Sequence, residues 1–294
     1  MTLLPQAGAL ALARTSNTTH ATRMRNERRW LMTSLFDWIG VHVSGCIDVA
    51  RSNSLGAMLH LVWCNTFKIK RRVRLKINGF DINLRAGTPD FSVAIESLGR
   101  EFEPVTAGFA HENGALIIDA GGYIGTAAIK LATAYPACRI VCIEPSSENL
   151  ELLKLNVAAY PNISVMKAAL AANGTEVALR DPGRKAWGFT IIAEPDQSDR
   201  VLETVPAVTI ENILAQHGRE RVFILKLDVE GAEAELFHNS RGWMSRTDIL
   251  IAELHEWLIE GSEAAFRAAT GGRANTFMPG EKVLSLHPAR VAAQ

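Results

Sequence analysis

Two acids and one histidine stand where they could act together. Asp228 follows the apolar run Val222-Phe223-Ile224-Leu225-Lys226-Leu227, and Glu253 and His255 follow Ile249-Leu250-Ile251-Ala252. Each run reads as a buried parallel strand, and ligands of open α/β sheets bind at the carboxyl ends of such strands. Asp228, Glu253 and His255 are therefore expected at one edge. An imidazole titrates near neutrality, so His255 is the candidate to take a proton, with Asp228 or Glu253 orienting its ring or binding a substrate. The same three could hold a divalent cation, a reading ranked below the metal-free one because spacing alone gives no geometry. The bland alternatives are a strand-end cap for His255 and a turn fixed by backbone hydrogen bonds for Asp228 and Glu230.

A second constellation lies upstream. Leu116-Ile117-Ile118-Asp119-Ala120 is an apolar run ending in an acid, followed by Gly121-Gly122-Tyr123-Ile124-Gly125 and an Ala-rich helical pattern stopped at Pro136. Strand, tight turn and helix follow from that order. Gly121 admits backbone angles closed to other residues and a close ligand approach, while Gly125 allows helix and strand to pack tightly. Arg139 to Ile143 is the next buried strand and ends in Glu144, about 20 residues on, the distance at which an acid reaches ribose hydroxyls. Position 123 is Tyr where a dinucleotide fingerprint has its central glycine, which disfavours a dehydrogenase. A ribose-bearing ligand without pyrophosphate fits better, and S-adenosylmethionine is one.

Asp119 to Gly125, Glu144-Pro145 with Asn149 and Asn156, Lys226-Leu227-Asp228-Val229-Glu230-Gly231-Ala232-Glu233 and Glu253-Leu254-His255 together resemble the FkbM family of S-adenosylmethionine-dependent methyltransferases. The resemblance covers roughly residues 70 to 260; Arg85-x-Gly87-Thr88-x-Asp90 is similar to the family's lead-in. It departs at Gly122-Tyr123, where the family commonly has Ala-Asn, so packing near the methionine end of the cofactor differs. The resemblance implies an α/β Rossmann-like class I methyltransferase fold with a mostly parallel, doubly wound sheet. It also implies an S-adenosylmethionine site at Asp119, Gly121, Tyr123, Gly125, Glu144, Ala169 and Asp228. Ala168-Ala169 end the strand Ile163 to Lys167, where this fold meets the adenine. The activity implied is O-methylation of a sugar, glycolipid or secondary-metabolite hydroxyl, with His255, Asp228 and Glu253 as catalytic candidates. The alternatives are an RNA methyltransferase and a non-catalytic protein that docks on a membrane or partner.

Elements that must position these groups fill the rest of the 294 residues, of which 48% are hydrophobic and 21% charged, an ordinary globular composition. Residues 1–100 carry 14 Lys and Arg against 6 Asp and Glu, a net +8, balanced by 17 against 25, a net −8, over residues 101–294. Such a basic front can face an anionic partner or surface, or simply water. Cys46, Cys64, Cys138 and Cys142 show neither zinc-ligand nor disulfide-framework spacing, which points to a reducing, cytoplasmic compartment.

Three regions are expected: residues 1–67, a tail and apolar helices; 68–100, a hairpin and lead-in helix; and 101–294, the methyltransferase domain. The tail to about residue 26 has no secretory pattern, and its arginines give a transit-like composition ranked below a loose tail. Trp30 to Val49 and Leu55 to Phe67 read as helices too interrupted to span a bilayer. Their apolar face packs on the catalytic domain or, with the basic run Lys68 to Lys76, makes peripheral membrane contact through residues 30–76. That run returns through Asn78-Gly79 into Phe80 to Arg85 as a β-hairpin. Nucleic acid is a poor fit, because aromatic residues for base stacking are missing. Thr88 or Asp90 can cap the following helix. Glu176 to Arg180 and Trp187 to Ile192 read as a second hairpin turning at Asp181-Pro182-Gly183, a substrate wall with Trp187 as its best contact. Glu281 to Leu286 reads as a terminal edge strand.

Overall fold

The computed structural model describes residues 46–106, 109–181, 188–192, 200–278 and 282–291. The expected tail, most of the Trp30 to Val49 helix, Trp187 and the Pro182-Gly183 turn lie outside them. Residues 46–52 are helical, and α1 (Leu55–Thr66) is capped by the Ser54 hydroxyl accepting from Ala57 N. Strands β1 (Arg71–Ile77) and β2 (Phe80–Ala86) form the expected hairpin, closed by Asn78 and Gly79, both at positive φ as a tight two-residue turn requires. The next helix, α2 (Asp90–Leu98), follows Pro89, which supplies no side-chain cap, but the Thr88 hydroxyl accepts from Asp90 N at 3.3 Å. The Asp90 carboxylate does not cap and is drawn to Arg85, accepting from Arg85 N, Nε and Nη2 at 2.7, 2.9 and 3.0 Å as a buried ion pair.

The central sheet is built from β3 (Leu116–Ala120), β4 (Arg139–Ile143), β5 (Ile163–Met166), β9 (Val222–Leu227), β10 (Thr247–Glu253), β11 (Ala274–Phe277) and β12 (Lys282–Leu286). Its order is β11-β12-β10-β9-β3-β4-β5, with β5, β4, β3, β9 and β10 mutually parallel and β12 antiparallel to both neighbours. This is a Rossmann-like α/β sheet. Strand order reverses between β3 and β9, and a crevice opens there at the carboxyl ends. Alternation along the strands feeds two cores. Ile117, Ile140 and Ile251 face the hairpin, α2, α3 (Thr126–Ala134) and α4 (Ser147–Val157), whereas Ile118, Val141 and Leu250 face α5 (Ile210–Gln216), α6 (Glu233–His238) and α7 (Ser262–Ala269).

Two expectations fail for reasons of long-range pairing. The antiparallel partner of β7 (Glu176–Asp181) is β8 (Arg200–Val208), and from Trp187 to Ile192 the described part supplies one bridge, Arg180 to Thr190. Pro206 sits within β8 opposite Glu176, and β8 also pairs with the short β6 (Ala169–Leu170). Strand β12 is not at the edge, because the exposed β11 covers it. Val283, Leu284, Ser285 and Leu286 are buried in consequence.

Candidate active site

A cavity of about 440 Å³ opens over the β3/β9 switch and is lined by Gly121, Tyr123, Glu144, Ala169, Asp228 and Glu253 among others. Asp119, Gly125 and His255 do not line it. Asp119 is wholly buried under the turn, its Oδ1 3.1 Å from the Lys226 ammonium. Gly121 and Gly125 hold φ of +82° and +86°. A Cβ at Gly121 would collide with the Asp228 carbonyl oxygen, and one at Gly125 would lie 2.9 Å from Val157 Cγ1. What approaches Gly121 so closely is thus the end of β9, and what packs on Gly125 is α4. Gly121 still lines the cavity, whereas Gly125 serves a contact with α4 in place of the expected helix–strand one.

Tyr123 takes φ +49°, a region that costs a non-glycine residue about 1–3 kcal/mol and is held by its surroundings. Its backbone N donates to Glu144 Oε2 at 2.8 Å, its hydroxyl donates to Asp90 Oδ1, and its ring lies under the Arg85 guanidinium at 5.4 Å. The Glu144 carboxylate also accepts from Ser146 N at 2.9 Å and Asn149 Nδ2 at 3.2 Å. Burial pushes the Glu144 carboxyl up to about 7 despite these donors. Glu144 therefore ties the β3 turn to the start of α4 and faces the cavity with acceptor capacity left for a hydroxyl.

Beyond the turn lies a cluster of acids. Ligand atoms of Asp228, Glu253 and His255 lie within 4.8 Å of one another. Burial opposes charge on Lys226, but the Asp119 and Asp228 carboxylates raise its pKa, and Lys226 in turn holds Asp228 below the usual carboxylate range against burial. Glu253 is raised by burial and by Asp228, and its partner Lys282 also reaches Glu101 at 2.8 Å. His255 is 1% exposed, with Nδ1 2.9 Å from Glu233 Oε1 and Nε2 3.7 Å from Glu230 Oε2. Burial opposes its charge, yet Glu233 and then Glu230 lift its pKa to about 10. An imidazolium is no base, so the proton-taking role expected of His255 is unsupported at neutral pH. Glu230 is better placed: at φ +50° it lines the cavity, its Oε2 has no hydrogen-bond partner among the described residues, and burial pushes its carboxyl up to about 8, so its ionised, proton-accepting form grows in as pH rises past neutrality.

Sequence reasoning passed over Lys282 and Glu101, and weighed Glu230 below Asp228. The usable signal was Lys226, a charge inside the wholly buried strand VFILKL, which requires a buried counter-charge nearby. Nothing local marks Lys282, whose partners lie on β10 and after α2.

The family model described as "Methyltransferase FkbM domain" matches residues 119–270. No curated protein sequence matches significantly. Among solved structures, the chain is similar to a precorrin-6y C5,15-methyltransferase from Geobacter metallireducens GS-15 at 11% identity and TM-score 0.33, covering 67% of this chain and 85% of that one. A putative rRNA-methylase from Clostridium thermocellum aligns at 9% identity and TM-score 0.40, covering 64% and 93%. Aeropyrum pernix fibrillarin in complex with S-adenosyl-L-methionine aligns at 15% identity and TM-score 0.35, covering 60% and 67%.

Proposed function

Since the chain belongs to the FkbM methyltransferase family, we propose that it transfers the methyl group of S-adenosylmethionine to a hydroxyl of a sugar, glycolipid or secondary metabolite. One observation carries the reading: a single cavity joins the glycine turn and Glu144 to Asp228, Glu230 and Glu253. Glu144 would accept from the ribose hydroxyls and Ala169 would leave room for the adenine. The acceptor oxygen attacks the sulfonium methyl carbon in line. The carbon–sulfur bond breaks with its electron pair on sulfur, giving S-adenosylhomocysteine, and the hydroxyl proton passes to Glu230. Asp228, kept ionised by Lys226, and Glu253 orient the acceptor; acids suit hydroxyl donors.

Calorimetric titration with S-adenosylmethionine and S-adenosylhomocysteine tests the cofactor half, and a methylation screen over glycans and glycolipids tests the acceptor half. Binding by the wild type that is lost in Glu144→Ala supports the reading; a folded wild type that binds neither ligand overturns it. Turnover of RNA, falling steeply with salt through counterion release, would move the acceptor class to nucleic acid.

A second observation bears on where the acceptor is met. Leu55, Leu59, Val62, Trp63 and Phe67 form one exposed apolar face of α1 and its end, with Leu55 75% and Trp63 58% exposed. Helix α1 carries no charged residue, and Lys68, Lys70, Arg71 and Arg72 follow it on the exposed surface. Charge complementarity favours an anionic bilayer over a second copy of the same basic face. No described helix is long and apolar enough to cross a membrane, so the contact would be peripheral.

A further inference from the structure

We infer that Asp228, Glu253 and His255 form a divalent-cation site at the acceptor end of the cavity, an inference that rests on the methyltransferase reading above. The three donors come from the ends of adjacent parallel strands, β9 and β10, and their ligand atoms already lie within 4.8 Å of one another. Asp228 and Glu253 keep side-chain exposures of 25% and 21% toward the cavity, so an ion can reach them, while His255 is sealed behind.

The surroundings are built as a metal site requires. His255 Nδ1 bonds the fully buried Glu233 carboxylate, which fixes the ring and leaves Nε2 directed at the acids; a carboxylate behind a ligating imidazole is the usual outer support. Glu233 is itself held by Val229 N and Gly231 N at 3.1 and 2.9 Å, so the support is anchored to the loop that carries Asp228 and Glu230. Lys226 takes Asp228 Oδ2 and Lys282 takes Glu253 Oε2, which leaves Oδ1 and Oε1 for an ion.

An independent observation points to the missing occupant. Glu230 is 7% exposed, and its Oε2, 3.7 Å from His255 Nε2, has no hydrogen-bond partner among the described residues. A buried carboxyl oxygen without a hydrogen-bond partner is costly, and a water or acceptor hydroxyl carried by the cation would supply one. Charge agrees: Glu101, Asp119, Asp228, Glu230, Glu233 and Glu253 gather around the lysines 226 and 282 and one imidazole. Oxygen-rich donors with one imidazole suit Mg²⁺ or Mn²⁺. The ion would replace the proton on His255 Nε2, bind an acceptor oxygen and ease transfer of its proton to Glu230.

The test titrates Mn²⁺ into the chelator-stripped full chain, following free Mn²⁺ by electron paramagnetic resonance, with S-adenosylhomocysteine binding measured on the same samples. One site per chain is expected, abolished in Asp228→Asn and Glu253→Gln. Glu233→Gln, which touches no ion, should weaken Mn²⁺ about 10–100-fold. A wild-type circular-dichroism spectrum and thermal transition in a variant show that it has folded. No Mn²⁺ binding by a wild type that binds S-adenosylhomocysteine overturns the cation site alone. Mn²⁺ binding that survives all three substitutions overturns it as well, since the ion then sits elsewhere. If S-adenosylhomocysteine fails to bind the wild type, the methyltransferase reading fails instead, whatever Mn²⁺ does.

Discussion

The Lys226 ammonium stands 3.1 Å from the buried Asp119 carboxylate, a pairing that fastens the two strands on either side of the switch point. Lys226 also donates to Gly121 O at 3.1 Å, so one cation supports the turn and both acids beneath the cavity. Replacing it by methionine strands a fully buried carboxylate, for which about 3–5 kcal/mol of stability is lost. Urea unfolding of Lys226→Met against wild type measures this, and a loss under about 1 kcal/mol would contradict the assigned role.

Gly121→Ala should fold poorly. The new methyl would need the space of the Asp228 carbonyl oxygen, and φ +82° is unfavourable for alanine, so two backbone segments would have to separate. Gly174→Ala is the control, since φ is +97° there but no described residue lies within 4 Å of where the new Cβ would stand. Thermal unfolding should drop far more for Gly121→Ala; equal drops would mean that φ alone matters.

Stability should depend on Glu144 in a defined direction. Its folded pKa, about 7, lies above the ordinary value of 4.5, so the folded state holds the proton more tightly than the unfolded one. The protonated form is therefore stabilising at low pH, and that contribution is lost as pH rises from 4.5 through 7, by at most about 3 kcal/mol. Glu144→Gln should flatten this part of the pH–stability curve. Ribose hydroxyls favour the ionised carboxylate, so cofactor affinity should rise from pH 6 to 8 in wild type and stay level in the variant. Parallel curves for the two proteins would remove Glu144 from the cofactor site.

Tyr123→Phe removes the hydroxyl that donates to Asp90 but keeps the ring under Arg85. Asp90 retains its Arg85 bonds, so about 1–3 kcal/mol should be lost in chemical denaturation, with S-adenosylhomocysteine affinity little changed. A large fall in affinity would instead give Tyr123 a direct cofactor contact.

Leu59→Glu with Trp63→Glu should abolish sedimentation with phosphatidylserine vesicles while leaving S-adenosylhomocysteine binding intact. Both side chains are exposed in the free chain, so the exchange costs little in stability. Vesicle binding that persists in the double variant would rule out α1 as the contact.

Much of the fold was legible because its signals are local. The strand–turn–helix at Leu116 to Ala134, the Asn78-Gly79 hairpin and the apolar strands ending at Asp228 and Glu253 each declare themselves within about ten residues. The pairing of β7 with β8 was not legible, since the intervening chain puts the partner beyond any turn signal and Pro206 disguises the strand. Of the site, the acids were found but their charge states were not. His255 reads as a neutral base until Glu233, 22 positions earlier, is seen at its ring, and Glu230 gains its raised pKa from burial that no spacing reports.

The matched segment ends at residue 270, yet Lys282, on β12, partners Glu253 and Glu101. During vectorial synthesis, every acid of the cluster leaves the ribosome before this lysine does. A nascent chain stopped at the family boundary would hold Glu253 without its ammonium and β10 without its β12 neighbour. The unit recognisable by descent is thus shorter than the unit that can balance its own charge, and a truncation drawn at residue 270 should yield insoluble protein.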